Sequence, residues 1–389
     1  MTTNPDRAQP AAPAISTATL YGLMAKARAY DDRIELGRGD PDFDTPPHIV
    51  AAFAEAIKRV WSEPNPPEGI LPLRVAIAER LRRVNRIEAD PETEIVVTNG
   101  GQHALFVMVQ AALAPGDEIL VPDPNYNTYR DAIAFAHGVR VSVPTHIEED
   151  FRVDPARVAA AITPRTRGLL MVSPNNPAAS VISRGDVQEL TELARAHHLT
   201  ILADDIYDRF LYDGLEHVSP ASLPGVKDYT LTLNAVSKQY AMCGWRLGWI
   251  AGPAHLMERV RQIKASISGS TSLVAQHGAL AALNGPDDCI VEMQQAYARR
   301  REVVMQGLDR LGLRYGRPQG GQFIFADISS TGMTSLEFAA WVLEEAHVLL
   351  YPGGAFGAAF DHFIRITFLQ PEERLAEALE RIARLMNKS

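Results

Sequence analysis

Lys238 stands at an unusual place for a lysine, just after an apolar run that predicts a buried strand. The run covers residues 229–233, and Ser237-Lys238 follows it. Burial disfavours the charged form of an amine and lowers its pKa, so a lysine here could attack an aldehyde and form a Schiff base. Arg246 follows in the run GWRLG. A surface Ser-Lys pair, with Arg246 bound to a carboxylate, is the alternative.

A glycine turn follows a second predicted strand. Residues 94–98 predict that strand, and Asn99-Gly100-Gly101 then opens a helical pattern. The first turn of a helix offers free N–H groups and the positive end of the helix dipole, which together bind anions. With the guanidinium of Arg246, this turn predicts a phosphate site. A purely structural turn is the alternative.

Three more loops with polar or aromatic side chains follow predicted strands. They are residues 124–129 (PNYNTY), 173–177 (SPNNP) and 204–207 (DDIY). Ligands of open α/β sheets bind at the carboxyl ends of the strands, so we expect these loops to meet. Taken alone, Tyr126 could equally be a packing residue, and Asp204 could be a helix N-cap.

Arg365 lies inside an apolar strand pattern, residues 363–367. A buried guanidinium needs an anionic partner. A substrate carboxylate would be held by two parallel hydrogen bonds, a geometry that is both strong and orienting. A structural salt bridge is the alternative.

Together these motifs resemble those of the class I/II aminotransferases, fold-type I enzymes that use pyridoxal 5′-phosphate (PLP). The segment at Lys238 matches the family pattern S-K-x-x-x-x-x-G-x-R-x-G, and the resemblance spans residues 37–367 in family order. It implies that Lys238 carries PLP as a Schiff base and acts as general base. It also implies that Asp204 faces the pyridine nitrogen and that Tyr207 bonds the phenolic oxygen.

The same resemblance implies roles for the other motif residues. Phosphate would be bound by Arg246 and by the backbone N–H groups at Gly101 and Gln102, with Ser237 available beside them. Tyr126 would stack on the ring. Asn176 would donate to the phenolic oxygen. Gly39, Asn176 and Arg365 would contact the substrate, with Arg365 on its α-carboxylate.

Three positions depart from the family pattern. Pro64 stands where relatives have a tyrosine that reaches a neighbouring subunit's cofactor phosphate, and Ala235 stands where many have a phosphate-binding hydroxyl. Asn65, Ser237 and the run Ser270-Thr271-Ser272 are the candidate substitutes. Ala178-Ala179 replaces Thr-Gly after the SPNNP motif, so the loop there could differ in shape.

The expected reaction is transfer of an amino group from an α-amino acid to a 2-oxo acid. One alternative keeps the fold and PLP but catalyses elimination or replacement, cyclisation or oxidation. Another is a cofactor-free binding protein. The sequence does not name the substrate, and no second arginine stands out for a dicarboxylic one.

Apolar runs alternating with helical patterns predict an α/β fold with two lobes. A large lobe with a mostly parallel seven-stranded sheet flanked by helices is expected at 45–285. A smaller α+β lobe is expected at 286–389, completed by an N-terminal arm at 1–44. The predicted strands of the large lobe are 94–98, 118–121, 139–143, 168–172, 200–203, 229–233 and 247–251.

Length and charge limit the other possibilities. The 389 residues exceed the roughly 250–300 that one core usually holds. A net charge of −9 argues against nucleic acid or a membrane surface as partner. No membrane span or secretory signal is visible, so we expect a cytoplasmic protein. Two cysteines, Cys243 and Cys289, offer no metal spacing. The resemblance implies a homodimer.

Overall fold

A seven-stranded sheet forms the centre of the larger lobe in the computed structural model, which describes residues 17–58 and 62–387. The strands of the whole molecule are β1 (Ile34–Glu35), β2 (Ile95–Thr98), β3 (Glu118–Asp123), β4 (Val139–Pro144), β5 (Thr166–Val172), β6 (Thr200–Asp204), β7 (Thr230–Ala235), β8 (Gly248–Ala251), β9 (Arg314–Tyr315), β10 (Phe323–Asp327), β11 (Val348–Leu349), β12 (Tyr351–Pro352) and β13 (Phe363–Thr367). All seven strands predicted for the large lobe are present.

Helices cover this sheet and complete the smaller lobe. They are α1 (Thr17–Ala27), α2 (Pro47–Ala56), α3 (Leu71–Arg80), α4 (Gly101–Ala112), α5 (Thr128–Phe135), α6 (Pro155–Ala160), α7 (Arg184–Ala196), α8 (Val236–Gln239), α9 (Ala254–Ser268), α10 (Leu273–Asn284), α11 (Asp288–Leu311), α12 (Ser335–Ala346) and α13 (Glu372–Met386). A π-helical turn, Leu81–Asn85, extends α3. Short 3-10 turns lie at Ile147–Glu149, Pro220–Ser222, Lys227–Tyr229, Cys243–Trp245, Ser329–Thr331, Gly353–Phe356 and Ala358–Phe360.

The strand order of the large sheet is β2-β8-β7-β6-β5-β3-β4. Neighbouring strands run parallel except where β8 pairs antiparallel with β2 and β7. Leu120 and Leu169 pack on one face of the sheet, whereas Ile119 and Leu170 pack on the other. Both faces are therefore covered, as expected for apolar strands in an α/β protein. The predicted fold class is confirmed.

The smaller lobe is built on an antiparallel sheet of order β12-β13-β10-β9. Beside it, β1 pairs parallel with β11, so the segment that precedes residue 45 joins this lobe. The apolar run at 348–351 predicts one strand, but it forms two, because the chain leaves β11 for a different sheet at β12. We propose the division into 1–44, 45–285 and 286–389 on the basis of this sheet membership.

Helical residue patterns at 18–30, 47–61 and 73–85 predict three helices, and their predicted ends differ from the structure by a few residues. The helix predicted at 18–30 is α1, which ends at Ala27, and that predicted at 73–85 begins earlier, as α3 at Leu71. The helix predicted at 47–61 is α2 as far as Ala56, and its predicted end lies outside the described residues. No helix in the described ranges is long and apolar enough to cross a membrane.

The loop after β5 joins the two lobes at Ala179. The Ala179 carbonyl accepts hydrogen bonds from the backbone N–H groups of Gln319 and Gly320, at 2.9 and 3.0 Å. Its φ of +59° is left-handed, a conformation that costs an L-residue roughly 1–2 kcal/mol. The loop therefore keeps a glycine-like turn although the sequence places alanine there.

We expect Ala179→Gly to cost much less stability than Ala178→Gly. Both methyl groups are buried, so each substitution loses apolar burial and gains chain entropy in the unfolded state, together about 1–2 kcal/mol. Only at 179 is this loss offset, by the roughly 1–2 kcal/mol of left-handed strain that glycine removes. Denaturant unfolding measures this change. Ala178→Gly is the matched control, because Ala178 is buried and has no positive φ, and it should destabilise. Equal destabilisation by both substitutions would contradict the argument.

Candidate active site

The catalytic candidates meet where the central strands of the large sheet end. Asp204 is the last residue of β6, and Lys238 lies in α8, which directly follows the neighbouring strand β7. Asp204 is in register with Leu233 of β7. The carboxyl ends of parallel strands share one sheet edge, so strand order alone brings the acid and the amine to the same edge.

The Lys238 ammonium is held by the N-terminal segment of the chain. Its Nζ donates to the carbonyl oxygen of Gly39 at 2.7 Å and lies 3.2 Å from Oδ1 of Asp40. The thiol of Cys243 is 3.4 Å from the same nitrogen. Lys238 is thus charged and partnered by groups of its own chain.

The pKa of Lys238 is raised, which is opposite to the direction expected from burial alone. Burial does lower it, but Tyr207, Cys243 and Asp40 stabilise the ammonium and outweigh that effect. For Asp40, burial raises the pKa, but Lys238 and the hydrogen bonds from Cys243 and Arg38 bring it down to about 2. Lys238 must therefore lose a proton before it can act as a nucleophile.

Asp204 is a buried carboxylate whose direct partners are few. Oδ1 accepts a hydrogen bond from the Ile206 backbone N–H at 3.0 Å, and Oδ2 accepts one from the Tyr129 hydroxyl. Burial raises the pKa of Asp204 to about 6, against the lowering effect of these two donors. Near pH 7 the group is mostly ionised, and it has no ion-pair partner in the described part of the chain.

Tyr207 interacts electrostatically with both the amine and the acid. Burial raises the pKa of its hydroxyl to about 12, while Lys238 and Arg365 act to lower it and Asp204 and Tyr126 act to raise it. These effects require that all five groups lie close together. The structure therefore brings together the predicted residues Lys238, Asp204, Tyr207, Tyr126 and Arg365.

Arg365 is buried in β13 without a carboxylate partner among residues 17–58 and 62–387. Nη1 donates to Oδ1 of Asn176 at 3.0 Å and Nη2 to the carbonyl oxygen of Gly37 at 2.7 Å, while Nε has no partner in those ranges. The rings of Phe323 and Tyr351 lie 4.6 and 4.4 Å from the guanidinium carbon. A buried cation so placed is suited to an anionic ligand.

Backbone and guanidinium approach each other closely at the start of α4. Gly100 has φ +87°, and a Cβ there would lie 2.6 Å from Nη2 of Arg246. A Cβ at Gly248 would lie 2.9 Å from the Gly101 nitrogen. No side chain caps α4, and Arg246 has no ion pair in the described chain. The helix end and the guanidinium together are suited to an anionic ligand.

The remaining predicted residues lie at this edge with fewer direct contacts. Gln102 is exposed in the first turn of α4, and Ser237 is buried beside Lys238 in α8. Gly39 contacts Lys238 through its carbonyl, and a Cβ there would make only an ordinary contact with Phe323, at 3.5 Å. The structure therefore shows no steric conflict within the described chain that requires a glycine at 39.

Most of the polar side chains that could replace the hydroxyls missing at Pro64 and Ala235 make hydrogen bonds to neighbouring segments instead. Asn65 binds the Thr271 carbonyl and the Gln276 side chain, both at 3.0 Å. Ser270 donates to the Asn65 carbonyl, and Ser272 caps α10. Ala235 packs on Gly101, with 3.5 Å between Cβ positions. The Thr271 hydroxyl faces the Val97 carbonyl at 3.5 Å, so Ser237 is the candidate left without such a local contact.

Sequence reasoning missed two residues of the site, Tyr129 and Asp40. Tyr129 is the second tyrosine of PNYNTY, and Asp40 follows Gly39 in GDPDF. Both lie inside motifs that were already singled out. The signal was therefore present, but their partners, Asp204 and Lys238, are far away in sequence.

We expect Tyr129→Phe to raise the pKa of Asp204 above about 6. The lost hydrogen bond stabilises the carboxylate and is worth roughly 1.5–3 kcal/mol, or about one to two pKa units. Titration of the Asp204 carboxyl carbon by NMR measures the shift. Tyr126→Phe is the matched control, since the described contacts of Asp204 do not include the Tyr126 hydroxyl. An unchanged pKa in Tyr129→Phe would contradict the assignment.

Comparison with known proteins gives the family. A family model described as "Aminotransferase class I and II" matches residues 31–382. The chain is 41% identical over 365 residues to the arginine–pyruvate transaminase of Pseudomonas aeruginosa, covering 93% of this chain and 92% of that protein. It is 39% identical over 386 residues to the aspartate/prephenate aminotransferase of Thermus thermophilus, covering 98% of each.

Solved structures agree with this family. The aromatic aminotransferase from Pyrococcus horikoshii superposes with a TM-score of 0.89 at 38% identity, covering 94% of this chain and 99% of that one. The neighbours share the fold-type I architecture that the sequence predicted. The chain therefore belongs to the class I and II aminotransferase family and is an aminotransferase.

Proposed function

We propose that this aminotransferase binds pyridoxal 5′-phosphate and that Lys238 is the amine to which its aldehyde is joined. The observation that carries the proposal is the placement of Lys238 and Asp204 at the ends of adjacent parallel strands. A lysine beside a buried carboxylate without an ion pair suits a cofactor with an aldehyde and a basic ring nitrogen.

The polar and aromatic groups of the site match the phosphate, the ring and the phenolic oxygen of this cofactor. The uncapped start of α4 and Arg246 would hold the phosphate, and Ser237 supplies a nearby hydroxyl. Tyr126 would lie against the ring. Asn176 uses its Oδ1 on Arg365, which leaves its Nδ2 as the donor for the phenolic oxygen, together with Tyr207.

PLP, when bound, supplies an electron sink that stabilises negative charge at the substrate Cα. Asp204 would pair with the ring nitrogen and keep it protonated, since its own pKa of about 6 leaves it ionised near neutral pH. Lys238, once freed by the substrate amine, would take the proton from Cα. Lys238 can accept that proton only after its hydrogen bonds to Gly39 and Asp40 are broken.

Arg365 would bind the carboxylate that the α-amino acid and the 2-oxo acid share. One site can then accept both substrates in turn, because the group it recognises is common to them. Relatives are named for arginine–pyruvate, aspartate/prephenate and aromatic substrates. Residues other than Arg365 would therefore recognise the side chain of the substrate. We also keep the homodimer and the cytoplasmic location as predictions.

Lys238→Ala should abolish covalent attachment of PLP and lower kcat by about 10²–10⁴ or more, because both the amine and the general base are lost. Borohydride reduction followed by peptide mass spectrometry identifies the labelled lysine in the wild type. Lys227→Ala is the control, since Lys227 pairs with Glu94 at 2.5 Å before β7. Label at another lysine, or unchanged labelling of Lys238→Ala, would refute the assignment.

Arg365→Lys should raise KM for both the amino acid and the oxo acid by roughly tenfold to a hundredfold. Lysine keeps the charge but loses the planar fork, and a hydrogen bond to a charged group is worth about 1.5–3 kcal/mol. Steady-state kinetics with each substrate varied in turn measures the change. Arg314→Lys, on the nearby strand β9, should change neither KM. Equal KM values in Arg365→Lys and wild type would exclude the carboxylate role.

A further inference from the structure

A group of buried polar side chains lies directly behind Asp204 and Lys238. We call it the Asp208 cluster, and its members are Arg80, Asn85, Asp205, Asp208, His217, Ser219, Asn234 and Gln239. Apart from His217, each of these residues is at most 4% exposed, and the His217 side chain is 6% exposed. None of these residues takes part directly in the proposed amino transfer.

Asp208 is the centre of the cluster and ties it to the lysine. Its carboxylate accepts from Nη2 of Arg80 at 2.9 and 3.0 Å and from the side-chain amide of Gln239 at 3.1 Å. Gln239 follows Lys238 in α8, and Arg80 also donates to the Gln239 Oε1 at 2.9 Å. The short helix that carries the amine is therefore fixed from behind by buried hydrogen bonds.

Asp205 ties the same cluster to the acid. It follows Asp204, and its backbone N–H donates to the Leu233 carbonyl at 3.1 Å. Its side chain accepts from the Ser219 hydroxyl at 2.5 Å and lies 3.2 Å from Nε2 of His217. A change of charge or position at Asp205 therefore acts on the carboxylate next to it.

The charges of the cluster balance only if His217 is protonated. Asp205 and Asp208 carry two negative charges and Arg80 carries one positive charge, so a neutral imidazole would leave one negative charge uncompensated. Buried charge without compensation is strongly unfavourable. Asp205 and Asp208 also raise the pKa of Asp204, in addition to the larger effect of burial.

The surroundings of His217 favour the imidazolium. Burial acts to lower its pKa, but Asp205 and Asp208 outweigh that effect and the repulsion from Arg80, so the net direction is upward. On its other side His217 lines a cleft of about 380 Å³, whose charged side chains include Arg86, Arg184, Arg209 and Glu216. Nδ1 has no hydrogen-bond partner in the described chain, so Asp205 is the direct charged contact of the ring.

We propose that His217 is a positioning residue for amino transfer, because in its protonated form it neutralises the Asp208 cluster and so keeps Asp204 ionised opposite the cofactor's ring nitrogen. The inference rests on the proposed function, since it requires PLP in the site. His217 acts through Asp205 and touches neither cofactor nor substrate.

PLP affinity of the full-length protein tests the proposal. His217→Gln removes the charge, and a rise of about one unit in the pKa of Asp204, which is about 6 in wild type, should raise the PLP dissociation constant about twofold near pH 7 and about tenfold near pH 5. Near pH 9 wild type and variant should bind PLP equally, because Asp204 is then ionised in both and His217 of the wild type is neutral. Asp205→Asn and the double variant Asp205→Asn/His217→Gln should bind PLP like wild type, because neither leaves an unbalanced charge.

NMR titration of the histidine rings gives a readout independent of the cofactor. In wild type without PLP, the His217 ring should hold its proton above the ordinary pKa of about 6.5, and Asp205→Asn should lower its pKa. The signal is identified by its absence in His217→Gln. If His217→Gln does not fold, the comparison of wild type with Asp205→Asn in this titration decides whether His217 is protonated.

The outcomes separate the two proposals. Wild type that binds no PLP overturns the proposed function, and this inference with it. Wild type that binds PLP normally, with His217→Gln equally tight at all pH values, overturns only the inference. A double variant no better than His217→Gln also overturns it, because a merely structural role predicts no rescue. A His217 ring that is neutral below pH 6 does the same.

Discussion

Two buried charges without an opposite charge in the described chain, Asp204 and Arg365, are the constraint on which the site depends. Burial of an ion is costly, and it is tolerated where hydrogen bonds or a ligand compensate. Asp204 has a hydroxyl and a backbone N–H, and Arg365 has an amide oxygen and a backbone carbonyl. These dipoles fix both groups in place but leave their charges available. The protein thus presents a negative and a positive site of fixed position.

The topology places the two charges in different lobes. Asp204 belongs to the parallel sheet of the large lobe, whereas Arg365 belongs to the antiparallel sheet of the small one. Asn176, in the loop after β5, accepts a hydrogen bond from Arg365. Ala179, in the same loop, binds Gln319 and Gly320 of the small lobe. One loop of the large lobe therefore contacts both the arginine and the body of the small lobe.

Much of this could be predicted from the sequence, because the strands are apolar runs and each motif follows one. What could not be predicted depends on partners distant in sequence. The split of the strand at 348–351 arises because β11 and β12 pair with different sheets. The raised pKa of Lys238 depends on Asp40 and Tyr207. The role of Tyr129 depends on the position of its hydroxyl group, which is set by how the side chain packs.

The N-terminal segment has a larger part in the site than its motif suggested. Gly37 accepts from Arg365 and Gly39 accepts from Lys238, so one short stretch contacts both the carboxylate-binding group and the amine. Asp40 pairs with Lys238 in the same stretch. A substrate carboxylate would compete for Arg365, and an aldehyde for Lys238. Occupation of the amine would therefore release this segment from Lys238. Asp40 would keep its hydrogen bond from Arg38, at 3.2 Å, so its charge would still have a partner.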